Sequence, residues 1–200
     1  MKGLFRGIVA ILVFPFVLFY WLNLCVLPRQ RVFADFTQFF SLFPGISGEY
    51  ARRAFYRFVL PQCATDCCIC FGTIFSHPTA KIGRRVYVGP YCILGDVTLG
   101  DDVLLASGVS IANGTKQHGI ERLDLPIREQ PGEFPPLTIG EDTWIGERAI
   151  VLADVGAHCV VGAGALVLEP IPDYGIAVGV PARVVKFRNE EVRHSNRENP

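Results

Sequence analysis

Residues 82–112 read IGRRVYVGPYCILGDVTLGDDVLLASGVSIA, and an aliphatic residue followed by a small one recurs throughout this stretch. The spacing is six residues, apart from one five-residue step that leads to Leu99. The pairs are Ile82-Gly83, Val88-Gly89, Leu94-Gly95, Leu99-Gly100, Leu105-Ala106 and Ile111-Ala112. After an interruption the pattern resumes at Ile139-Gly140, Ile145-Gly146, Val151, Val155-Gly156, Val161-Gly162 and Val167. A repeat of this period predicts a hexapeptide β-helix.

The physical basis of this fold lies in the stacking of its coils. Each hexapeptide supplies one short strand, and three strands make a triangular coil. The aliphatic side chain points inward and stacks on its equivalent in the next coil, about 4.8 Å away, while the small residue permits the tight corner. One coil cannot bury its own interior, so residues 69–112 and 137–169 are expected to stack as about four coils. A β-sandwich would instead alternate with a period of two.

Three stretches resemble a known family. They are Trp144-Ile145-Gly146, Val161-Gly162-Ala163-Gly164-Ala165 and residues 177–186, AVGVPARVVK. Together with the repeat, they make residues 69–188 similar to the hexapeptide-repeat acyltransferases, in the branch of the galactoside, maltose, xenobiotic and polysaccharide O-acetyltransferases. The resemblance implies a mainly β fold, a left-handed parallel β-helix. It also implies a homotrimer with active sites between subunits, acetyl-CoA as the cosubstrate and a saccharide hydroxyl as the acceptor.

The interruption of the repeat forms a long loop, residues 113–136, whose one histidine is His118. A loop of this length inside a compact domain is usually functional. In the family the loop at this point carries the catalytic histidine to the adjacent subunit, so the resemblance makes His118 the candidate catalytic residue. An imidazole with an ordinary pKa near 6.5 suits a general base that activates an alcohol at neutral pH. The alternative is a solvated loop histidine.

The resemblance assigns further roles position by position. Asn113 and Trp144 are candidate acceptor-binding residues, although a corner residue in the trimer interface is the alternative for Trp144. Ala163, Arg183 and Lys186 are candidate cofactor-binding residues for acetyl-CoA. Cationic side chains suit the phosphates of CoA, whereas a solvated C-terminal face is the alternative for Lys186.

Two positions depart from the family pattern, and three histidines are not assigned to the site. Glu147 and Leu168 stand where the family often has hydroxyl residues around CoA, which puts those contacts in doubt. His77, His158 and His194 are expected to be structural or solvent-exposed.

Residues 7–27 form an uncharged apolar run that includes Pro15 and is long enough for a membrane helix. Basic residues flank it on both sides, so the positive-inside rule gives a near tie. Arg52, Arg53 and Arg57 tilt the prediction towards a cytoplasmic catalytic domain. A simple span and a kinked, re-entrant helix both remain open. A signal peptide is disfavoured because no small-x-small cleavage site is evident.

Two short helices are expected between this segment and the repeat. Phe33, Phe36, Phe40 and Phe43 recur at helical spacing before Pro44-Gly45, and residues 49–60 follow as a second amphipathic helix. Either the helices lie in the membrane interface or they pack on the end of the main domain. The predicted units are a membrane-anchoring apolar helix (1–31), an interfacial helical linker (32–68), the β-helix with its catalytic loop (69–188), and a polar C-terminal tail (189–200).

Cysteine and charge patterns exclude other classes of protein. Cys63, Cys67, Cys68 and Cys70 lack the paired C-x2-C arms of a zinc site, so no metal is expected. Seven cysteines are an odd number, which favours a reducing compartment over a disulfide framework. Nineteen basic and nineteen acidic residues cancel, which argues against a nucleic-acid-binding protein.

Three other functions are compatible with a β-helix. A non-catalytic scaffold or binding protein at the membrane is the main alternative to an enzyme. A γ-class carbonic anhydrase needs three histidine ligands, and His77, His118 and His158 do not fall at its spacing. A nucleotidyltransferase needs an additional α/β domain, for which the N-terminal segment is too short.

Overall fold

A computed structural model describes residues 2–190. Most of the predicted polar tail, including His194, lies outside the described residues. Three helices come first: α1 (Lys2–Leu24), α2 (Arg29–Ser41) and α3 (Gly45–Val59). Fifteen short parallel strands and one antiparallel strand follow. They are β1 (Gln62–Cys63), β2 (Cys68–Ile69), β3 (Ile74–Phe75), β4 (Lys81–Ile82), β5 (Tyr87–Val88), β6 (Ile93–Leu94), β7 (Val97–Leu99), β8 (Leu104–Leu105), β9 (Ser110–Ile111), β10 (Leu137–Ile139), β11 (Trp144–Ile145), β12 (Ile150–Val151), β13 (Val160–Val161), β14 (Leu166–Val167), β15 (Gly175–Val178) and β16 (Arg183–Phe187).

The strands form three sheets that make the faces of a triangular prism, which confirms the predicted left-handed β-helix class. Sheet A has the order β1-β4-β7-β10, sheet C the order β3-β6-β9-β12-β14, and sheet B the order β2-β5-β8-β11-β13-β15-β16. Isolated bridges at Val155 and Ile171 continue sheet A. The described residues therefore contain five complete coils and the start of a sixth, one more than the repeat predicts.

The difference arises at the start, where the first coil begins with β1, one strand before the predicted boundary of residue 69. The inward positions of this coil are Cys63, Ile69 and Phe75, each followed by a small residue. Cysteine and phenylalanine do not fit the aliphatic-small pattern, so the repeat is visible in the sequence only from Ile82 onward. The register nevertheless pairs Cys63 with Ile82 and Phe75 with Leu94.

The predicted aliphatic positions form the core. Ile69, Val88, Leu105, Ile145 and Val161 are paired in register along sheet B, and each is fully buried. A second buried position lies two residues before the inward aliphatic position, in sheet B and also before Leu94 in sheet C. Cysteines occupy it three times, at Cys67, Cys92 and Cys159, each with 0% exposure. Buried free cysteine behaves as a small apolar residue, so these three belong to the packing of the core.

One corner of the prism carries non-glycine residues in the left-handed backbone region. Asp102, Asp142, His158 and Tyr174 have φ between 49° and 65°, a conformation that costs about 1 kcal/mol per residue. Contacts between coils offset this cost. His158 Nδ1 lies 3.0 Å from Asp142 Oδ2, its ring stacks on Tyr174 at 4.9 Å, and the hydrogen bond lowers the pKa of Asp142. His158 is therefore structural, as predicted.

Helices α2 and α3 cover the open end of the first coil. Phe33, Phe36 and Phe40 are buried, whereas Phe43 lies beyond the end of α2 and is 39% exposed. Phe75 N donates to Thr37 Oγ1 at 3.1 Å. Of the two interpretations of these helices, the structure supports packing on the main domain.

Arg52 joins this cap to the β-helix from a fully buried position. Its Nε donates to Ile69 O at 2.8 Å, and its Nη1 donates to Phe43 O at 2.7 Å. Burial lowers the pKa of the Arg52 guanidinium. Arg53 is also buried and donates to Cys67 O at 2.9 Å. These two arginines are structural, so they give no support to the predicted membrane orientation.

Helix α1 packs on α2 and α3 through one side only. Val13, Val17 and Tyr20 are buried, while Ile11, Leu12, Leu18 and Leu22 are among the exposed apolar side chains. Residues Phe5–Leu24 have a mean hydropathy of 2.2, and the helix is long and apolar enough to cross a membrane. By these criteria alone, a signal sequence or a core helix also qualifies.

A pair of leucine substitutions tests the inward stack. Leu105→Ala is expected to lower the free energy of unfolding by about 2–5 kcal/mol, because it leaves a cavity between two coils. Leu123→Ala is the matched control: Leu123 is 98% exposed, so its loss is expected to change stability by less than about 0.5 kcal/mol. Urea titration followed by circular dichroism measures both, and equal effects would contradict the stacking.

Candidate active site

The long loop leaves the β-helix after β9 and returns at β10, at the corner between sheets C and A. Asn113, only 3% exposed, holds its base. Its Nδ2 donates to Asp96 O at 2.8 Å and to Pro135 O at 3.0 Å, and its Oδ1 accepts from Asp96 N at 2.8 Å. The side chain therefore ties both ends of the loop to the preceding coil. Acceptor binding by Asn113 stays a prediction, since its amide already has three partners in the chain.

Two arms of the loop run side by side. Glu133 N donates to Lys116 O at 2.8 Å, and Gly119 N donates to Pro131 O at 2.8 Å. Gly132 allows this approach, because a Cβ at that position would lie 1.9 Å from Gln117 O. These backbone bonds hold the two arms together on both sides of His118 in the sequence.

Gln130 organises the tip of the loop and was not identified from the sequence. It is 6% exposed. Its Oε1 accepts from Arg122 N at 3.1 Å, and its Nε2 donates to Arg122 O at 2.7 Å and to Leu125 O at 3.2 Å. Gln130 is one amide residue among many polar residues of the loop and belongs to no repeat. The sequence alone therefore does not distinguish it from solvated loop residues.

His118 lies on the first arm, and its side chain is exposed. Within residues 2–190, its imidazole makes no hydrogen bond to another side chain or to the backbone. A general base is normally oriented by a neighbouring group. A single chain therefore presents the histidine but does not complete its surroundings.

The other predicted site residues lie on sheet B and the turns beside it. Trp144 stands in the outward column of this sheet and is 51% exposed. The column continues through Val160 and Ile176 to Lys186 on β16. Ala163 is exposed in the turn after β13, and Arg183 is exposed at the start of β16. The structure thus brings Trp144 and Lys186 onto one face, whereas the His118 loop leaves from the opposite corner.

Glu147 and Leu168, the two departures from the family pattern near the expected CoA site, lie on the surface, as does part of His77. Glu147 is exposed and Leu168 is 36% exposed, so neither departure from the family pattern disturbs the core. His77 is half-buried, and its Nδ1 lies 2.9 Å from Ser76 Oγ.

The cysteine cluster lies between α3 and sheet B. The sulfur atoms of Cys68 and Cys70 are 4.0 Å apart, and with a carboxylate oxygen of Glu49 they form a group whose atoms lie within 4.8 Å. The hydrogen bond from Cys68, together with one from Tyr87, lowers the pKa of the Cys70 thiol. Cys63 and Cys67 form a second pair with sulfur atoms 3.6 Å apart. Partly exposed thiols with a lowered pKa are the more reactive ones.

A prism built from hexapeptides with one long loop is the architecture of bacterial hexapeptide transferases. A family profile described as bacterial transferase hexapeptide (six repeats) matches residues 79–113. A second profile, hexapeptide repeat of succinyl-transferase, matches residues 136–169.

The similar proteins are named as acetyltransferases. A probable acetyltransferase of Mycobacterium tuberculosis is 39% identical over 122 residues, covering 58% of this chain and 40% of that protein. The galactoside O-acetyltransferase of Escherichia coli is 34% identical and covers 56% of each chain. A serine acetyltransferase of Bacillus pumilus is 28% identical, covering 86% of this chain and 79% of that protein. The chain thus spans about half the length of two of these relatives.

A solved structure shows the same fold at lower identity. The galactoside acetyltransferase in complex with coenzyme A superposes with a TM-score of 0.68 at 23% identity, over 83% of this chain and 84% of that one. The two profiles, these relatives and the shared fold make the chain similar to the hexapeptide-repeat acyltransferases.

Substitution of Asn113 tests its role at the base of the loop. Asn113→Ala is expected to destabilise the protein by about 1–3 kcal/mol, because three backbone groups lose their partner. Hydrogen exchange in residues 114–136 is expected to rise at the same time. Asn189→Ala, at an asparagine outside the loop, is the control. Unchanged exchange combined with lost transferase activity would instead assign Asn113 to the acceptor.

Proposed function

We propose that this protein transfers an acetyl group from acetyl-CoA to a hydroxyl of a saccharide acceptor. The acceptor classes considered are a cell-surface polysaccharide, a glycolipid and a lipid-linked sugar precursor. The similarity to named acetyltransferases supports the reaction class. The galactoside O-acetyltransferase of Escherichia coli, a relative above 30% identity, supports a sugar hydroxyl.

The observation that most directly supports a shared active site is the separation of His118 from Trp144 and Lys186 within one chain. The histidine loop starts at the corner between sheets C and A, and the other candidates lie on sheet B across the prism. An active site that contains both requires a neighbouring chain. This arrangement supports an assembly in which each histidine meets sheet B of the adjacent subunit.

The outward columns of the sheets support a homotrimer. Sheet A presents Gln62, Lys81, Thr98 and Thr138 in register. Sheet B presents apolar side chains in its middle strands, with Tyr87, Leu104 and Trp144 each at least 40% exposed. Sheet C presents Ile93 at 56% and Ile150 at 44%. Two apolar faces and one polar face fit a closed ring in which each chain contacts two others.

The proposed chemistry is a direct transfer in a ternary complex. The His118 imidazole takes the proton of the acceptor hydroxyl while the hydroxyl oxygen attacks the thioester carbonyl carbon. The tetrahedral intermediate then expels CoA as its carbon–sulfur bond breaks, and the imidazolium returns the proton to the leaving sulfur. Backbone N–H groups near the carbonyl stabilise the oxyanion.

Acetyl-CoA is held by residues of sheet B and its edge in this proposal. Arg183 and Lys186 lie close together on β16, at the open end of the sheet, and their cationic groups suit the phosphates at the nucleotide end of CoA. Ala163 contacts the pantetheine arm through its backbone, and Trp144 borders the acceptor. The exposure of these four residues fits an elongated ligand on the outside of the prism. No metal takes part in this reaction.

Membrane attachment through α1 completes the proposal. Acetyl-CoA is supplied in the cytoplasm, so the β-helix would face that side and lie near lipid-linked saccharides. The apolar residues that α1 leaves exposed support this location. Recovery of the full chain in the soluble fraction of lysed cells, without detergent, would contradict it.

Two alternatives have observations in their favour. The serine acetyltransferase of Bacillus pumilus matches a larger share of this chain than the sugar enzymes do, which favours an amino-acid hydroxyl as the second candidate acceptor. A non-catalytic scaffold remains the alternative from another class, because His118 has no orienting partner among the described residues of its own chain.

Release of free CoA tests the reaction and its base. Purified protein with acetyl-CoA is offered sugars, nucleotide sugars, lipid-linked saccharides and L-serine. We expect release that depends on a saccharide, and we expect His118→Ala to lower kcat about 100- to 10,000-fold. His77→Ala, which removes a histidine outside the loop, is expected to keep full activity. Wild-type turnover by His118→Ala would refute the proposed base. If the wild type neither releases CoA nor binds acetyl-CoA, the result would favour the scaffold.

Sedimentation tests the trimer. The wild type is expected to sediment as three chains, and Ile93→Asp is expected to shift it towards smaller species, since a charge would be buried in the interface. Thr98→Asp, at the start of the next coil, is the control, because sheet A faces solvent in this assembly. A monomeric wild type, or equal effects of both substitutions, would contradict the arrangement.

A further inference from the structure

A cavity between α1 and α3 is lined by three arginines. Arg6 comes from α1, and Arg53 and Arg57 come from α3. Tyr50 and Thr65 also line this cavity, and none of the lining residues is acidic. Among the described residues, none of the three arginines forms an ion pair with a carboxylate.

Two guanidinium nitrogens of this cluster are buried without a hydrogen bond. They are Nε of Arg6 and Nη2 of Arg53. Arg53 is only 9% exposed, and it is fixed by the bond from Nη1 to Cys67 O and by its position 4.3 Å over the Tyr50 ring. A buried polar group without a partner costs free energy, and clustered like charges add to that cost. An anion bound at the open mouth of this cavity would lower both costs.

The ligand chemistry follows from the donors. Guanidinium groups bind phosphate oxygens through paired N–H bonds. The three arginines come from two helices, one of which, α1, is the apolar segment proposed to attach the chain to the membrane. Phosphate groups at that location belong to lipid head groups.

An apolar groove continues from the arginine cavity. It is lined by Ala10, Ile11, Phe14 and Phe58, and Ala10 and Phe58 line both sites. Ile11 is 73% exposed, Phe14 is 45% exposed and Phe58 is 42% exposed. The surface therefore changes from cationic to apolar over a short distance, which matches the order of a head group and an acyl chain.

We propose that this joint site binds an anionic phospholipid, with its phosphate on Arg6, Arg53 and Arg57 and one acyl chain along Phe14 and Phe58. The proposal rests on the membrane attachment of α1 and is independent of acetyl transfer. A bound lipid would fix α1 against α3 and set the height of the β-helix above the bilayer.

Native mass spectrometry of the full chain in detergent tests this site. Phosphatidylglycerol and phosphatidylcholine are added at equal concentration, and the wild type is expected to retain the anionic lipid about tenfold more. The double variant Arg6→Gln, Arg57→Gln is expected to lose this preference. Arg53 is left intact because its bond to Cys67 supports the fold. Arg31→Gln, at an exposed arginine of α2 outside the cavity, is the control and is expected to behave as the wild type.

The outcomes separate the proposal from its alternatives. Equal retention of both lipids by the wild type would overturn it, as would the same loss of preference in Arg31→Gln. Displacement of the lipid by inorganic phosphate at equal concentration would show a simple anion site and overturn the lipid assignment. Because the assay contains neither acetyl-CoA nor an acceptor, a negative result leaves the proposed transferase activity unaffected.

Discussion

The structure depends on one constraint, that the inward column of aliphatic side chains must be covered at both of its ends. Each coil covers only the coils above and below it, so the first and last would expose their interior to water. Helices α2 and α3 cover the first coil, where the Tyr56 and Phe75 rings meet at 4.8 Å. At the other end the chain reverses, and β16 pairs antiparallel with β15. The buried Arg52 belongs to the same solution, because its guanidinium satisfies carbonyls that the junction between cap and coil leaves without partners.

The same constraint separates the parts of the proposed active site. A closed stack leaves no internal cleft, so ligands are bound on the outside, on turns, edges and the one loop that interrupts the repeat. Trp144 and Lys186 lie on a flat face that offers little enclosure by itself. In the proposed assembly the enclosure comes from another chain, and the apolar outward columns of two sheets provide a surface for that contact. In the proposed trimer, assembly and catalysis are therefore linked through the same faces.

The sequence predicted the features that repeat and missed those that occur once. The aliphatic positions from Ile82 to Val167 are buried as expected, since each is specified again by the coils on either side. The first strand of the β-helix was missed because Cys63 fills an inward position by volume and does not fit the aliphatic pattern. Gln130 and the buried side chains of Arg52 and Arg53 were also missed or misread. Their roles depend on contacts between distant segments, which composition and spacing do not record. The position of His118 in the long loop was visible only as an interruption of the period.

The insertion point of that loop has a consequence for how the family diversifies. The strands on either side of it keep their partners: β10 pairs with β7, and β12 pairs with β9. The Asn113 side chain closes the base of the loop with hydrogen bonds. The length and sequence of the loop therefore do not affect how the coils stack. Segments of this kind can be exchanged between homologues as modules while the scaffold is inherited unchanged. In the proposed enzyme, changes confined to this loop would alter the acceptor surface without the stability losses that substitutions in a packed core would bring.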